Sequence, residues 1–466
     1  LQVSILNGIY TDQAGQFRTA YPRNMIPIPK KTGMADGYLR HTDGIIKQAE
    51  SSGVCRGSIN WNGTIYSVMG ENLVSIDEYW NIATIGNVGA GSTATLDYSF
   101  DYLAINSGGK MFLYDGASLT QITDADLGNI IDFVWIDGYF AMTDGEFIIV
   151  NDLNNPFSIN PLKYGSSEAS PDPIISLNKV RNELAALNRY TIEFYNNVGG
   201  DYFPFQRIDG AQINKGVVGT HASSVVNDVI LFVGGGFNEQ VSVYAGVNGS
   251  FEKIATSEID QQLSMYTEEQ LSNIVCEYKI YNGHVHFMIH LHDKTMVYDL
   301  QASKAAGEQI WYYLDSGVNT GNRYRAIHHV FCYNRWNVSD TKTHNIGYLT
   351  DYVSTHWGDH IGWELSTQML YNEGNGASFD SLELVATTGR IENGLSPKIS
   401  TKYSLDGINW SQDQFISVGS RGDTIKRLVW FRQGFMRSWR VQKFSGTSEA
   451  MISVSRLEAK VSPLYV

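Results

Sequence analysis

The sequence predicts an all-β fold: a β-propeller of about seven blades with a helical insertion, then a C-terminal β-sandwich-like domain. Three observations carry this. Tyr, Phe and Trp number 27, 20 and 10, glycines number 45, and charged residues make up only 18%, against roughly 25% in a typical soluble domain. Such a chain suits strands, tight turns and wide protein contacts, and it excludes disorder, a coiled coil and a collagen-like fibre. A four-strand unit recurs from residue 56 onward. Past residue 370 the rhythm changes to longer alternating strands. At 466 residues the chain holds one large repeat fold or two to three ordinary domains.

Residues 1–50 are expected as an extended segment packing on the propeller, which occupies 51–366. Arg56–Trp61 is a strand-like run, and Asn62-Gly63 after it is a strong hairpin signal. Thr64–Met69, Leu73–Ile76 and Trp80–Ile85 complete the unit. A meander of four short strands cannot bury both faces alone, so a neighbouring copy must cover it. The copies follow. Thr95–Phe100, Tyr102–Asn106, Lys110–Tyr114 and Ser118–Ile122 form the second, with turns at Ser107-Gly108-Gly109 and Asp115-Gly116. Ile131–Ile136, Tyr139–Met142, Glu146–Val150 and Phe157–Leu162 form the third. Weaker copies run through Ile174–Phe205, Ile213–Ile254, Ile274–Tyr313 and Tyr324–Trp363. The spacing of roughly 35–45 residues is that of propeller blades. Six or eight blades stay open as alternatives, because the last copies are irregular and two are lengthened.

Residues 257–272 have helical spacing at Ile259, Leu263 and Tyr266, and Thr267-Glu268-Glu269-Gln270 reads as a capping box. This insertion is a packing lid or a docking element; the second reading nominates Asp260, Tyr266 and Glu269 as interface residues. Asn372–Gly376 reads as a linker. Phe379–Thr387, Lys398–Tyr403, Phe415–Val418, Ile425–Phe431, Arg437–Phe444 and Ala450–Ala459 then give a sandwich over 377–464.

The chemical motifs are mostly missing. The chain has no phosphate-binding loop, dinucleotide fingerprint, nucleophile elbow, zincin motif or EF-hand loop. Gly234-Gly235-Gly236 has neither a following Lys nor a helix and reads as a turn or bulge. Cys55, Cys276 and Cys332 are too few and scattered for a disulfide framework, lack CxxC spacing, and are expected as free thiols. Residues 1–10 lack the pattern of a signal peptide. The longest apolar runs, such as Ile130–Ile136, are far short of the ~20 residues a membrane helix needs. A formal charge of −14 opposes non-specific DNA binding.

His284, His286, His290 and His292 share one parity, so on a strand they project from one face. Neighbours two apart splay by about 6–7 Å, which argues against convergence on a metal. The expectation is no metal, no cofactor and no catalytic residue. The face reads as half-buried blade surface or a contact weakened at mildly acidic pH. His356-Trp357-Gly358-Asp359-His360 resembles a helical His pair, but Gly358 and the β pattern oppose a helix. Ser404–Trp410 resembles the Asp-box turn of sialidases, one residue short, which in that family braces a hairpin. Arg421–Lys443 carries seven basic residues against one acid, Asp423, with Trp430, Phe431, Phe435 and Trp439 interleaved. The aromatics read as core. Arg427, Arg432, Arg437 and Arg440 read as meeting protein, with a DNA-facing surface as the alternative.

Ser257–Leu271, Ile289-His290-Leu291 and Val297-Tyr298-Asp299 together resemble the packaged-DNA stabilisation, or tail accessory, protein family of short-tailed Salmonella-type phages. Gly37-Tyr38-Leu39-Arg40 with Asp43-Gly44-Ile45, and Tyr403–Trp410 with the basic strands after it, extend the resemblance in the same order. Of the four histidines, only His290 sits where the family pattern has one. The resemblance implies a non-enzymatic virion component assembled in the host bacterial cytoplasm. Its implied partners are copies of itself in a hexameric ring, the portal adaptor ring, the tailspike and the tail needle. DNA would be passing cargo, and no membrane is involved. The ring would close the DNA-filled head. Two other classes stay open: a carbohydrate-active propeller, which needs a close carboxylate pair in an aromatic groove, and a secreted binding propeller.

Overall fold

The computed structural model describes residues 2–3, 5, 21–30, 37–153, 155–167, 170–200, 202–247, 249–372 and 375–464. Residues 6–20 and 31–36 of the expected N-terminal segment lie outside these, as do two of the expected linker. Among the described residues, seven antiparallel sheets follow one another as blades. Blade 1 is Cys55–Trp61, Thr64–Met69, Asn72–Ile76 and Ile82–Asn87, each strand pairing with the next. Its first turn has left-handed φ at both Asn62 (51°) and Gly63 (78°), as a two-residue hairpin requires. Blades 2, 3 and 4 begin at Thr95, Asp132 and Ile174 and repeat the order.

Blade 5 departs from it, because Gly216–Val217 and Ser223–Val226 both pair with Val229–Gly235. Gly234 is required there: a Cβ would lie 1.7 Å from the Gly216 carbonyl oxygen. Blade 6 is Val275–Tyr281, His284–His290, Thr295–Asp299 and Trp311–Leu314. A helix absent from the sequence expectation, Leu300–Ala306, interrupts it, capped by Asp299 and ended by left-handed Gly307.

Blade 7 corrects the N-terminal expectation. Its inner strands are Ala326–Cys332, Arg335–Asp340 and Asn345–Thr350, and its outer strand is Gly44–Glu50. That strand is part of the ring, not a strap laid over it. Each blade junction holds its own apolar cluster, and the seventh, with Ile65, Val74, Val330 and Ile346, joins blade 7 to blade 1. The ring is therefore closed by packing at every joint.

The sandwich also begins earlier than its expected boundary. Gly362–Ser366, placed by the sequence in the propeller, pairs with Trp439–Thr447. One sheet runs Met25–Pro29, Gly37–His41, Ser453–Pro463, Ala377–Ala386, Leu428–Phe431, and the other Gly362–Ser366, Trp439–Thr447, Lys398–Ser404, Gln414–Ser417. Phe379, Leu382, Trp430 and Leu457 of the first face Trp363, Leu365, Ile399 and Phe444 of the second. Arg23 joins the two halves: it donates to Asp315 (3.0 Å), and its backbone pairs with that of Glu364 in both directions. Among the described residues no helix is long and apolar enough to cross a membrane.

Candidate assembly interface

The helical insertion forms as two short helices, Ser257–Leu263 and Glu268–Ser272, and the Thr267/Gln270 capping box is present. It packs inward. Ile259, Leu263 and Leu271 are buried in the cluster joining blades 5 and 6. Asp260 accepts from Ser242 Oγ and pairs with Lys253. The Tyr266 hydroxyl donates to Asp293 at 2.6 Å, and burial, with that carboxylate beside it, raises its pKa. Two of the three nominated residues are thus spent inside the chain; the apolar spacing that made the helices amphipathic was the signal for this. Glu269 is exposed.

The basic strands divide in the same way. Arg440 is fully buried, which overturns its reading as a contact residue. Its guanidinium lies 4.2 Å from the Phe379 ring centre and 4.0 Å from that of Tyr403. It donates to the Gln433 carbonyl (2.5 Å) and to Gln442 Oε1 (2.6 and 3.0 Å). Burial without a carboxylate partner pushes its pKa down to about 10. Arg427 is exposed and bidentate to Glu383, while Arg432 and Arg437 are exposed. The aromatics were expected in the core, but only Trp430 is fully there. Phe431 is 70% exposed and Phe435 45%, with Ile425 at 89% and Phe415 at 63% nearby in sequence or strand order. One edge of the sandwich therefore carries exposed apolar and cationic side chains along its length: Phe435 stands opposite Ser378, Phe431 opposite Ser381, and Ile425 beyond Leu428, which pairs with Leu384.

The histidines do not form an outer contact face. The run Val275, Glu277, Lys279 pairs with His290, Met288, His286, so these side chains share one face of blade 6 and point into its junction with blade 7. His284 meets Asp299 at 2.8 Å, His286 meets the Tyr312 hydroxyl at 3.0 Å, and His292 lies exposed beyond the strand end. The splay along the strand holds, but ligand atoms also converge from neighbouring strands. Glu277 Oε1 lies 2.6 Å from His290 Nε2 and 2.7 Å from His329 Nδ1 of blade 7. The His-His pair at 328–329 and the lone acid at 277 were the available signals. Burial opposes ionisation of Glu277, but His329 and His290 outweigh it and hold its pKa well below the usual range.

His356 is buried in a turn with left-handed Trp357 and Gly358 and meets Ser316 at 2.8 Å, so no helical His pair exists. Asp406 caps its own turn, accepting from the backbone of Ile408 and Asn409 and from the Asn409 amide, as a hairpin brace should. All three cysteines are buried and free. The first strands of six blades, with Ser223–Val226 of blade 5, line a central cavity of about 410 Å³. Asp97 and Asp132 stand in its wall, both pushed up to about 6 by burial. Asp97 accepts from the Trp135 N–H; Asp132 accepts from Thr95, Ser176 and the Leu177 N–H. These carboxylates tie adjacent blades together, so their oxygens are engaged structurally.

Fold and surface together define a closed seven-bladed propeller fused to a β-sandwich that carries exposed apolar and cationic side chains along one edge. The chain belongs to the phage stabilisation family described as Bacteriophage P22 Gp10: the family's β-propeller model matches residues 1–354 and its β-sandwich model residues 362–462. The tail hub protein gp10 of Salmonella phage P22 is 26% identical over 439 residues, covering 89% of each chain. Among solved structures, the computationally designed Ika8 protein matches with TM-score 0.40 and 10% identity, over 66% of this chain and all of that one. The Pan2 WD40 domain of Neurospora crassa matches with TM-score 0.42 and 10% identity, over 64% of this chain and 89% of that one.

Proposed function

We propose that this chain is a structural, non-enzymatic subunit of a short phage tail. It forms a hexameric ring below the portal adaptor, closes the DNA-filled head, and carries the tailspikes and the tail needle. The observation that supports this reading is the match of both domains, in order, to the models of one family, beside the likeness to a tail hub protein. The exposed set Phe431, Phe435, Ile425, Arg432 and Arg437 is consistent with it, since subunit contacts favour aromatic and Arg side chains over Lys. Arg427, Arg432, Arg437 and Glu269 are the interface residues we retain; cationic residues on an acidic chain suit an acidic neighbour copy.

Sedimentation of the full chain, alone and with a purified portal–adaptor complex, tests this. Six chains are expected on each adaptor ring. The double reversal Arg432→Glu, Arg437→Glu should block attachment while leaving the melting temperature unchanged. A chain that stays monomeric and unattached to the adaptor would overturn the proposal. Attachment indifferent to the reversal would remove the basic strands from it.

A further inference from the structure

We propose that Glu277, His290 and His329 form a binding site for a divalent transition metal of the zinc class, placed between blades 6 and 7 beside the central cavity. The three side chains offer ligand atoms that all lie within 4.8 Å of one another. They come from three strands. Glu277 and His290 are diagonal neighbours on one face of blade 6, because His290 pairs with Val275 two residues before Glu277. His329 comes from the first strand of blade 7, where the pairing slips between Ile327 and Val330. His328, in that slip, has a left-handed φ of 57°. Such a bulge re-aims side chains, and here His329 Nδ1 reaches the same carboxylate oxygen that faces His290.

The surroundings prepare these atoms as ligands. His290 Nδ1 lies 2.9 Å from Thr295 Oγ1. A hydroxyl accepting from Nδ1–H directs Nε2 toward Glu277, the usual arrangement behind a ligating histidine, and an incoming cation would release the proton shared between Nε2 and the carboxylate. His290 Nε2 is buried and has no aligned hydrogen bond, although Glu277 Oε1 stands 2.6 Å away. Glu277 Oε2 accepts from the His329 backbone N–H at 2.8 Å, which fixes the carboxylate. Tyr324 stacks nearly parallel on both imidazoles, at 6.2 Å from His290 and 6.4 Å from His329. Side-chain exposure is 1% for His290, 0% for His329 and 14% for Glu277.

Two imidazoles and one carboxylate are a donor set for zinc, cobalt or nickel. Calcium and magnesium would want more oxygens. Three protein ligands leave a further coordination position, which water from the cavity can fill, since Glu277 and His329 line it. A bound ion would staple blade 6 to blade 7, the blade closed by the N-terminal strand. This inference is independent of the tail reading.

The test uses the full, untagged chain after chelator treatment and dialysis, titrated with cobalt(II) alone. The expected result is a visible d–d absorbance saturating at one cobalt per chain, displaced by zinc, and a melting temperature raised by either ion. His290→Gln and His329→Gln should each weaken cobalt affinity by at least about tenfold. His292→Gln, exposed and outside the cluster, should not. Absence of a stoichiometric cobalt band in the wild-type chain overturns the proposal whether or not the variants fold. So does affinity unaffected by either ligand substitution in folded protein.

Discussion

Replacing Arg440 should unfold the sandwich before it affects any assembly. The side chain is fully buried between Phe379 of one sheet and Tyr403 of the other. Its pKa falls from 12.5 to about 10 because burial is only partly offset, and each unit is worth about 1.4 kcal/mol. Keeping the charge inside therefore costs a few kcal/mol, opposed by two aromatic faces worth up to about 2 kcal/mol each when desolvated and by three charge-assisted hydrogen bonds. Arg440→Met removes the charge, fills the space and leaves Gln433 and Gln442 without their donor, for an expected loss of about 1–3 kcal/mol. Arg440→Ala adds a cavity and should cost about 3–5 kcal/mol. Arg440→Glu sets a carboxylate against two ring faces and two carbonyl-type oxygens and should cost most. Arg437→Glu, at an exposed position, should stay within about 0.5 kcal/mol of the parent. Urea denaturation followed by tryptophan fluorescence reads this order. If Arg440→Glu unfolded at the parent midpoint and lost only ring formation, the buried-arginine reasoning would be refuted.

Three further outcomes are expected. Ile259→Ala and Leu263→Ala, both at 0% exposure, should each cost about 2–5 kcal/mol by urea denaturation; a change under 1 kcal/mol would make the helices a free docking element after all. Stability should fall as the pH drops from about 6.5 toward 4, because His221 and His328 are pushed down to about 4 and His356 to about 3 by burial and must be charged in the unfolded chain first. Asp97 and Asp132, pushed up to about 6, act oppositely and lose stability as pH rises from about 4 to 6, so His356→Asn should flatten the melting-temperature profile between pH 7 and 4.5 and an unchanged slope would exclude this origin. Gly234→Ala should destabilise blade 5 by about 1–3 kcal/mol, read as a lowered melting temperature, since its Cβ would strike the Gly216 carbonyl.

What the sequence disclosed is what local chemistry decides. Asn62-Gly63 and Asp137-Gly138 both adopt the left-handed pair that their residue types favour, and the Thr267/Gln270 box caps its helix. Strand spacing therefore located blades 1 to 3 within a residue or two of most strand ends. Pairings between distant segments were hidden, because alternation names a strand's two faces without naming what covers them. Arg440 shows the limit: its neighbours in sequence are basic and aromatic, and only the opposite sheet makes it interior. The Leu300–Ala306 helix was masked by the blade rhythm around it, although Asp299 and Gly307 were fair start and stop signals. Glu277, His290 and His329 converge through one strand pairing and one bulge, neither readable from spacing along a single strand.

The largest of the hidden pairings changes how the two domains relate. Gly44–Glu50 completes blade 7, while Gly37–His41, just before it, extends the sandwich sheet against Ser453–Pro463. One short stretch thus serves as the closing strand of the ring and as an inner strand of the C-terminal domain. Arg23 adds a buried ion pair to Asp315 on blade 6 and a two-way backbone pairing with Glu364 of the sandwich. Closing such long loops costs entropy that grows only slowly with length, so the sequence distance is no obstacle to stability. It does delay folding, since neither domain is complete until the N-terminal strands have been captured. A chain cut between propeller and sandwich would leave Gly37–His41 paired with Met25–Pro29 alone, without Ser453–Pro463, and Arg23 without its backbone pairing to Glu364. The propeller and the sandwich are therefore two domains by architecture and one cooperative body by connection. Force applied at the sandwich would pass to the propeller through paired backbone and a buried ion pair.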